Sequence, residues 1–284
     1  WEYGTNLDYM KEFTEYWTSK FDWREAEKKI NKFKNFKTKI DEIDIHFHDL
    51  SAVYHLGAIS STTETDTYKI VGNNILFSCM LLEACIQNNI PFVYASSASV
   101  YGLGDNGFSE STTMTPLNYY AISKFSFDKI VEQKIKDNPA AKIVGLRYFN
   151  VYGSGEDHKN DMASPVHKFT KQASETGVIK IFEGSENYLR DFIHVSDVVR
   201  ITEDAVNLSS GIYNVGTGTP RSFLDVANII ADLSGASIKE IPFPEHLVGK
   251  YQSYTCSDNK KIDNAGCHPK RVCLEEGVSQ VYFS

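Results

Sequence analysis

Apolar residues come in short runs along most of the chain, and segments with helical spacing separate these runs. The runs Ala52–Ala58, Phe92–Ser97 and Lys142–Tyr148 have the length and composition of buried β-strands. Helices are predicted between them, at about 68–88 and from Tyr120 to about Ile135. Strands that alternate with helices indicate parallel βαβ units, so the pattern predicts an α/β fold.

The second half of the chain mixes shorter strands, helices and loops. Strands are predicted at Lys180–Phe182, Phe192–Val195 and Ile212–Val215. One helix is predicted to be capped by Asp197, and another to run from Phe223 to Leu233. No linker rich in Gly, Pro or Ser divides the chain, and no internal repeat is present.

The first 47 residues differ in character, because they are rich in Lys, Glu and aromatic side chains. Tyr9, Phe13, Tyr16 and Trp17 have the spacing of one face of an amphipathic helix. We therefore expect a helical leader before the α/β part, which begins at about residue 48.

Composition narrows the functional classes. The 284 residues are 42% apolar and carry a formal net charge of −8, which argues against a nucleic-acid-binding face. No apolar run approaches the roughly 20 residues of a membrane span, so none is expected. The five cysteines lack Cys-x-x-Cys pairs and are expected to be reduced thiols in the cytoplasm. A zinc site at Cys267, His268 and Cys273 lacks an evident fourth ligand, so no metal is predicted.

The stretch Tyr120-Ala121-Ile122-Ser123-Lys124 is the first candidate for chemistry. A Tyr and a Lys four residues apart share one helical face, and a nearby cation is expected to lower the pKa of the phenol. Such a phenol can exchange a proton with a sugar hydroxyl. By spacing alone the pair is more often a solvated helix face. However, Ser97 ends the predicted strand upstream, and strand carboxyl ends are where open α/β sheets bind ligands.

Ser97, Tyr120 and Lys124, in this order, resemble the active site of the extended short-chain dehydrogenase/reductase family. That resemblance implies a Rossmann-like, doubly wound parallel sheet with a smaller interleaved substrate lobe. The glycine-rich turn of such folds lies between the first strand and the first helix. The one literal match, Gly102–Gly107, follows a later strand and no helix is predicted after it, so we interpret it as a loop. The sheet is therefore expected to be missing its first strands.

Within this family, residues 48–284 resemble the ADP-L-glycero-D-manno-heptose 6-epimerases most. The distinctive stretches are Leu56–Glu64, Arg147–Gly153, His158-Lys159, Phe182–Asn187 and Arg190-Asp191-Phe192. The substrate lobe is expected mainly at 149–193 and 236–284. The resemblance implies epimerisation at C6 of an ADP-heptose, through transient oxidation by bound NADP, with NAD as the alternative cofactor.

The resemblance also implies residue roles. Tyr120 and Lys159 would be the proton carriers on the two faces of the sugar, Ser97 would bond the reacting oxygen and Lys124 would hold the nicotinamide ribose. The predicted cofactor contacts are Leu56, Gly57, Ala58, Ile59, Ser60, Asn73, Lys124, Val151 and Lys159. The predicted substrate contacts are Ser97, Asn150, Asp161, Lys168, Phe182, Glu183, Gly184, Ser185, Arg190 and Tyr251.

Three of these positions carry alternatives. Asp161 stands where the family commonly has a small hydroxyl residue, and Lys168 stands where a substrate-binding His is expected, with His167 one position early. Both departures bear on substrate specificity. Arg190 can fork onto a diphosphate, or it can form a structural salt bridge with a nearby Asp.

Three other hypotheses remain open on sequence grounds. One is a UDP-hexose 4-epimerase, which would not need Lys159. Another is a truncated, fused relic that binds nucleotide sugars without catalysis. The third comes from the leader, because residues 1–47 resemble the N-terminal region of microsomal-type epoxide hydrolases, through Trp1–Thr5, Tyr16-Trp17, Phe21–Arg24 and Ile45–Phe47. We find no hydrolase catalytic elbow. A folded epimerase of this kind is expected to be a homo-oligomer.

Overall fold

The structure is a computed structural model that describes residues 49–104, 106–244, 252–267 and 270–284. The leader and its predicted helix lie outside the described residues, as do Tyr251 and His268. The chain divides into two units that interleave along the sequence. Of the described residues, the first unit contains those of 49–102, 113–147 and 205–213, and the second contains those of 103–112, 148–204 and 214–284.

Four strands build the sheet of the first unit, in the order β1-β2-β3-β8. Their bounds are Val53–His55 for β1, Phe92–Ser97 for β2, Ile143–Tyr148 for β3 and Gly211–Val215 for β8, which continues into the second unit. Strands β1 and β2 run parallel, with Val53 opposite Phe92. Most residues of β2 and β3 are buried, which is why both strands are near-continuous apolar runs.

Two long helices belong to the same unit. Helix α1 spans Thr67–Gln87 and contains a π-helical segment at Val71–Leu76. Helix α2 spans Tyr119–Asp137. Their apolar faces and the strands share one core cluster, whose buried members are Ile75, Cys79, Leu82, Cys85, Ile90, Phe92, Tyr94, Phe127, Ile130, Val131 and Ile143.

The second unit has shorter elements. Its strands pair two by two: β4 (Asn150–Tyr152) with β7 (Phe192–His194), β5 (Val178–Phe182) with β10 (Ser237–Ile241), and β6 (Leu189–Arg190) with β9 (Arg221–Ser222). Its helices are α3 (Pro165–Thr176), α4 (Val195–Asp204), α5 (Phe223–Ser234), α6 (Lys260–Asn264) and α7 (Leu274–Tyr282). A separate core cluster includes Val166, Ile179, Val226, Ile230 and Val278. The predicted substrate lobe lies within this unit.

Two local predictions meet the structure differently. The Gly102–Gly107 stretch lacks a following helix, as predicted, and its three glycines have positive φ angles. At Gly102 an added Cβ would lie 2.0 Å from the carbonyl oxygen of Thr115, so a side chain does not fit there. The prediction that Asp197 caps a helix is wrong. Helix α4 begins two residues earlier, and the Asp197 carboxylate is buried, where it accepts from Arg200 and from the Val272 amide.

Among the described residues, α1 is long and apolar enough to cross a membrane by length and composition alone. Several of its side chains, including Cys79, Leu82 and Cys85, are buried in the core of the first unit. Its apolar character is therefore explained by packing inside the protein.

Candidate active site

The candidate site lies where strand β2 ends and helix α2 begins, and the end of β2 carries hydroxyl side chains. Ser97 is the last residue of the strand, and its Oγ accepts from the Ser99 amide at 3.2 Å, which turns the chain into a 3-10 helix. Helix α2 begins after Asn118, whose side chain accepts from the Ala121 amide at 2.8 Å and so satisfies an N-terminal donor. This cap fixes Tyr120 in the first turn of the helix.

The structure brings Tyr120 and Ser97 together, as the resemblance implies. The Ser97 hydroxyl lies close enough to the Tyr120 phenol to affect its pKa. Burial raises the pKa of the Tyr120 phenol, the Ser97 hydroxyl lowers it, and the charge of Asp128 raises it further. The net result is a raised pKa. The expectation that Lys124 lowers this pKa is therefore wrong for this structure, because removing the phenol from water outweighs its neighbours.

Lys124 lies one helical turn from Tyr120 and is almost fully buried. Its Nζ donates to the carbonyl oxygen of Ala95 at 2.7 Å and lies 6.0 Å from the centre of the Tyr120 ring. Burial lowers the pKa of Lys124 to about 8, against the opposing effect of Asp128.

The loop after β1 carries the predicted cofactor contacts Leu56–Ser60, and Asn74 holds it in place. Asn74 Oδ1 accepts from the Ile59 amide at 2.8 Å, and its Nδ2 donates to the Ile59 carbonyl oxygen and to Ser123 Oγ, both at 3.0 Å. Asn74 is 1% exposed. By contrast, Asn73 is exposed and donates to the Lys69 carbonyl oxygen, so its predicted cofactor contact stays a prediction. Sequence reasoning missed Asn74; the signal was a polar residue at a core position of an apolar helix.

Features of the first unit fit a nicotinamide nucleotide. Lys124 uses one of its three N–H donors on Ala95, and a ribose offers hydroxyl acceptors for the others. The loop is open at Gly57, where an added Cβ would meet no atom within 4 Å, and Leu56 is 53% exposed. Both features lie at the carboxyl ends of strands, where open α/β sheets bind ligands.

In the second unit, Lys159 lies in a loop organised by the buried carboxylate of Glu156. Glu156 accepts from the Ser164 amide at 2.8 Å, from Ser164 Oγ at 2.7 Å and from the Gly153 amide at 3.3 Å. The Lys159 ammonium pairs with it at 3.3 Å, while the lysine side chain stays 42% exposed. Burial would raise the pKa of Glu156, but Ser164 and Lys159 outweigh burial and lower it. Asn160, next to Lys159, has a φ of 46° and a ψ of −121°, a strained backbone for a residue with a side chain.

The two positions that depart from the family pattern contact each other. Lys168, in the first turn of α3, donates from Nζ to the main-chain oxygen of Asp161 at 2.7 Å. Beside it, His167 Nε2 lies 3.5 Å from Asp157 Oδ1. Helix α3 thus holds the Lys159 loop near both of its ends. The roles of Asp161 and Lys168 in binding substrate stay predictions.

Asn150 and its neighbour Val151 open strand β4, and a polar cluster surrounds the first of them. Asn150 Oδ1 accepts from Thr255 Oγ1 at 3.1 Å, and Thr255 Oγ1 accepts from the Asp191 amide at 3.0 Å. The buried Asp191 carboxylate accepts amide hydrogens from Thr217, Gly218 and Ser257 and the Thr217 hydroxyl. Asp191 therefore joins the loop after β8 to the segment around 255, without an ion pair in the described residues.

Arg190 forms no salt bridge with either neighbouring Asp among the described contacts. Its Nη1 donates to the Leu189 carbonyl oxygen at 2.9 Å, its Nη2 donates to the Gln252 carbonyl oxygen, and its guanidinium carbon lies 5.5 Å from the Phe223 ring centre. These contacts tie the arginine to main-chain oxygens. The choice between a diphosphate contact and a structural salt bridge stays a prediction.

The Phe182–Ser185 turn is the remaining predicted substrate segment. It contains Gly184 in the left-handed region and Ser185 Oγ donating to the Phe182 carbonyl oxygen. Phe243 packs edge-on against Phe182 at 5.6 Å and stacks on Tyr188 at 5.2 Å between ring centres. The contact of this turn with a substrate stays a prediction.

The sequence matches the model of the "NAD dependent epimerase/dehydratase family" over residues 21–216. The match begins inside the leader, whose likeness to epoxide hydrolases stays an untested prediction. An ADP-L-glycero-D-manno-heptose-6-epimerase of Alkalilimnicola ehrlichii is 45% identical over 246 residues, which cover 84% of this chain and 76% of the relative. The enzyme of the same name from Brachyspira hyodysenteriae is 42% identical over 268 residues, or 89% of this chain and 84% of the relative.

Solved structures agree with the sequence relatives. The Helicobacter pylori ADP-L-glycero-D-manno-heptose-6-epimerase superposes with a TM-score of 0.74 at 28% identity, over 82% of this chain and 72% of that one. The Thermus thermophilus UDP-glucose 4-epimerase, solved with NAD, gives a TM-score of 0.71 at 26% identity, over 83% of this chain and 77% of that one. The predicted Rossmann-like α/β fold is thereby confirmed.

Proposed function

The chain belongs to the NAD dependent epimerase/dehydratase family, and from this premise we propose that it inverts C6 of an ADP-glycero-manno-heptose. The observation that carries the proposal is the identity of 45% and 42% to two heptose 6-epimerases over more than four fifths of the chain. Tyr120, with Ser97 and Lys124 close to it, supplies the proton-transfer groups that such a reaction needs.

The reaction needs a change at C6 without net oxidation. When bound, a nicotinamide cofactor would supply the hydride acceptor and hydride donor that this change needs. Tyr120 would accept the proton of the C6 hydroxyl as the carbonyl forms from one epimer. Lys159 would donate a proton to the carbonyl oxygen as the other epimer forms, and the two roles exchange in the reverse direction. The hydroxyl of Ser97 donates to the phenol oxygen or to the reacting sugar oxygen, which stabilises negative charge on either.

Lys124 would hold the cofactor ribose through its unused donors. Its depressed pKa means that binding an uncharged ribose hydroxyl costs little desolvation of the ammonium, because burial has already removed most of its water. The main chain of Leu56–Ser60, held by Asn74, would line the same cofactor. We propose NADP as the cofactor, with NAD as the alternative.

Lys159 is the proposed proton carrier for the opposite face of the ketone. Its partial exposure leaves the ammonium available to a ligand, and Glu156 anchors the loop beneath it. Asn150, Phe182–Ser185 and Arg190 are the proposed grip on the ADP-sugar. A cytoplasmic location and a homo-oligomeric state complete the proposal.

The test combines cofactor binding with turnover. We expect calorimetry to give micromolar or tighter binding of NADP, and a coupled chromatographic assay to show interconversion of the two ADP-heptose epimers. Tyr120→Phe should lower kcat by about 100-fold or more, in the range of a lost general acid–base. Tyr119→Phe, one residue earlier in the same helix, is the matched control and should keep kcat within twofold. Failure of the unmodified protein to interconvert the epimers would refute the proposal.

The 4-epimerase alternative is separated by substrate and by Lys159. A heptose 6-epimerase should lose turnover in Lys159→Ala and ignore UDP-glucose. Turnover of UDP-glucose that survives Lys159→Ala would instead assign the chain to the 4-epimerases. Absence of both NADP and NAD binding would favour a non-catalytic nucleotide-sugar binder.

A further inference from the structure

A carboxylate that the proposed reaction does not use lies fully buried below the active-site helix face. Asp128 has 0% exposure. Its Oδ1 accepts from the Tyr94 hydroxyl at 2.8 Å, and its Oδ2 accepts from Ser96 Oγ at 3.0 Å and from Arg147 Nε at 2.8 Å. Three donors on two strands therefore hold one carboxylate on α2.

Arg147 is equally buried, with 1% exposure, and it extends the cluster. Its Nη1 donates to the Tyr101 hydroxyl at 3.1 Å, and its guanidinium carbon lies 5.4 Å from the centre of the Tyr101 ring. The pair thus links α2, β2, β3 and the 3-10 helix that begins just after Ser97. These are the elements that carry the proton-transfer groups.

The spacing places the pair under the reacting residues. Tyr120, Lys124 and Asp128 follow one another at intervals of four residues, so they lie on one face of α2, about 6 Å apart along its axis. The cluster therefore contains two cations and one anion in a poorly solvated environment. A lone Asp128 or a lone Arg147 would impose a full unbalanced charge there.

We propose that Asp128 and Arg147 form a charge-balanced positioning pair that keeps the active-site charge equal to that of Lys124 alone. The proposal deepens the proposed function, since it assumes that Tyr120 transfers the proton. Asp128 and Arg147 touch neither substrate nor cofactor in it; they act through Lys124 and Tyr120.

Because the pair is buried, its charges act strongly on Lys124 and Tyr120. Charges in a poorly solvated interior interact more strongly than in water. Asp128 raises the pKa of Lys124, which burial lowers, and it raises the pKa of Tyr120, which burial also raises. Lys124 lies near Tyr120 and Asp128 on its own helix and interacts electrostatically with His55 on β1. The other titratable and charged groups of the cluster contact the pair: Tyr94 on β2 contacts Asp128, and Tyr101 on the 3-10 helix contacts Arg147 on β3. Of these groups, Asp128 is the one whose charge opposes the effect of burial on the pKa of Lys124.

The chemistry of the two partners decides which of them should be removed. An unpaired buried carboxylate can take up a proton and become neutral, whereas an arginine cannot lose its charge in a protein. Removing Asp128 is therefore the informative change. Asp128→Asn keeps the shape and most hydrogen bonds but leaves Arg147 unbalanced.

The experiment is an NMR titration of Lys124 in the full chain, with lysine labelled at Cε and the signal assigned by its loss in Lys124→Met. We expect Asp128→Asn to lower the Lys124 pKa by about one to two units. The double variant Asp128→Asn, Arg147→Met removes both charges and should return the pKa to within about half a unit of wild type. The pKa read from the acidic limb of the pH profile of kcat should also fall in Asp128→Asn and return towards the wild-type value in the double variant.

Each outcome decides the proposal. An unchanged Lys124 pKa in Asp128→Asn, or a double variant that stays shifted, would overturn it. If Asp128→Asn fails to fold, a folded double variant supports charge balance, and a double variant that also fails to fold overturns it in favour of a purely structural role. The titration needs no substrate, so a correct titration in a chain without epimerase activity would refute the proposed function and leave the pair intact.

Discussion

Replacing Asn74 by alanine should destabilise the first unit far more than the same change at the adjacent Asn73. Asn74 makes three hydrogen bonds from a 1% exposed position, two to the Ile59 main chain and one to Ser123. At about 1 kcal/mol each, their loss costs about 3 kcal/mol, because the Ile59 groups are left without partners. The melting temperature should fall by about 6–12 °C, as expected for a chain of this size.

Asn73→Ala is the matched control for stability. It removes one hydrogen bond, from an exposed side chain to the Lys69 carbonyl oxygen, and should change stability by no more than about 0.5 kcal/mol. Both variants gain the same helix propensity, so that gain cancels in the comparison.

Thermal unfolding followed by circular dichroism gives the two stabilities, and calorimetry gives NADP affinity. We expect Asn74→Ala to weaken NADP binding as well, since the Leu56–Ser60 loop loses its anchor. Equal destabilisation by the two variants, or a loss below 1 kcal/mol for Asn74→Ala, would refute the argument that this side chain holds the loop.

Three further outcomes can be measured by denaturant unfolding. Burial and then the charge of Lys124 lower the His55 pKa to about 4, while the unfolded chain takes up the proton near 6.5. Wild type should thus lose about 3 kcal/mol through His55 as the pH falls through this window, and His55→Gln should lose less stability by that amount; equal losses in the two proteins would contradict this. Glu156 has a lowered pKa, so it stabilises the fold at pH values above the usual pKa of a carboxyl group and loses this effect at acidic pH. Glu156→Gln should therefore be less stable than wild type by the largest amount at pH 7, and the difference should shrink on acidification. A difference in stability that is independent of pH would contradict this. Asn160→Gly should raise stability by about 1–2 kcal/mol by relieving the strained φ, and an unchanged or lower stability would argue against strain.

The elements of the first unit could be predicted closely because their patterns are strong. Strand β2 matches its predicted range, β3 begins one residue later than predicted, and α2 begins one residue earlier. Helix α4 was harder, because an acidic residue near a helix start resembles a cap whether its side chain bonds the first turn or a distant segment. Only the folded chain brings the Val272 amide to Asp197 and removes that ambiguity.

The substrate-side residues were harder to predict for a different reason. Lys168 and Asp161 each differ from the family pattern, and sequence treats them as two independent departures. In the structure a single hydrogen bond joins them, from Lys168 Nζ to the Asp161 main-chain oxygen. Since a main-chain acceptor is the same for every residue type, no property of the Asp161 side chain could have indicated the contact.

Buried polar residues of the first unit support the proposed proton chemistry, and periodicity alone does not identify them. Asn74, Ser123 and Asp128 occupy core-facing positions of two helices, where an apolar residue would pack at least as well. The hydrogen bonds of each residue are satisfied. The free-energy cost of burying each polar side chain is offset through what it positions: the Leu56–Ser60 loop, the helix turn of Tyr120 and the charge beside Lys124. The periodicity of apolar residues shows on which face of a helix a position lies. It does not show whether a polar residue on the apolar face positions other groups. A polar residue within the apolar stripe of a helix is therefore a sequence signal for such a site, next to the Tyr-x-x-x-Lys pair itself.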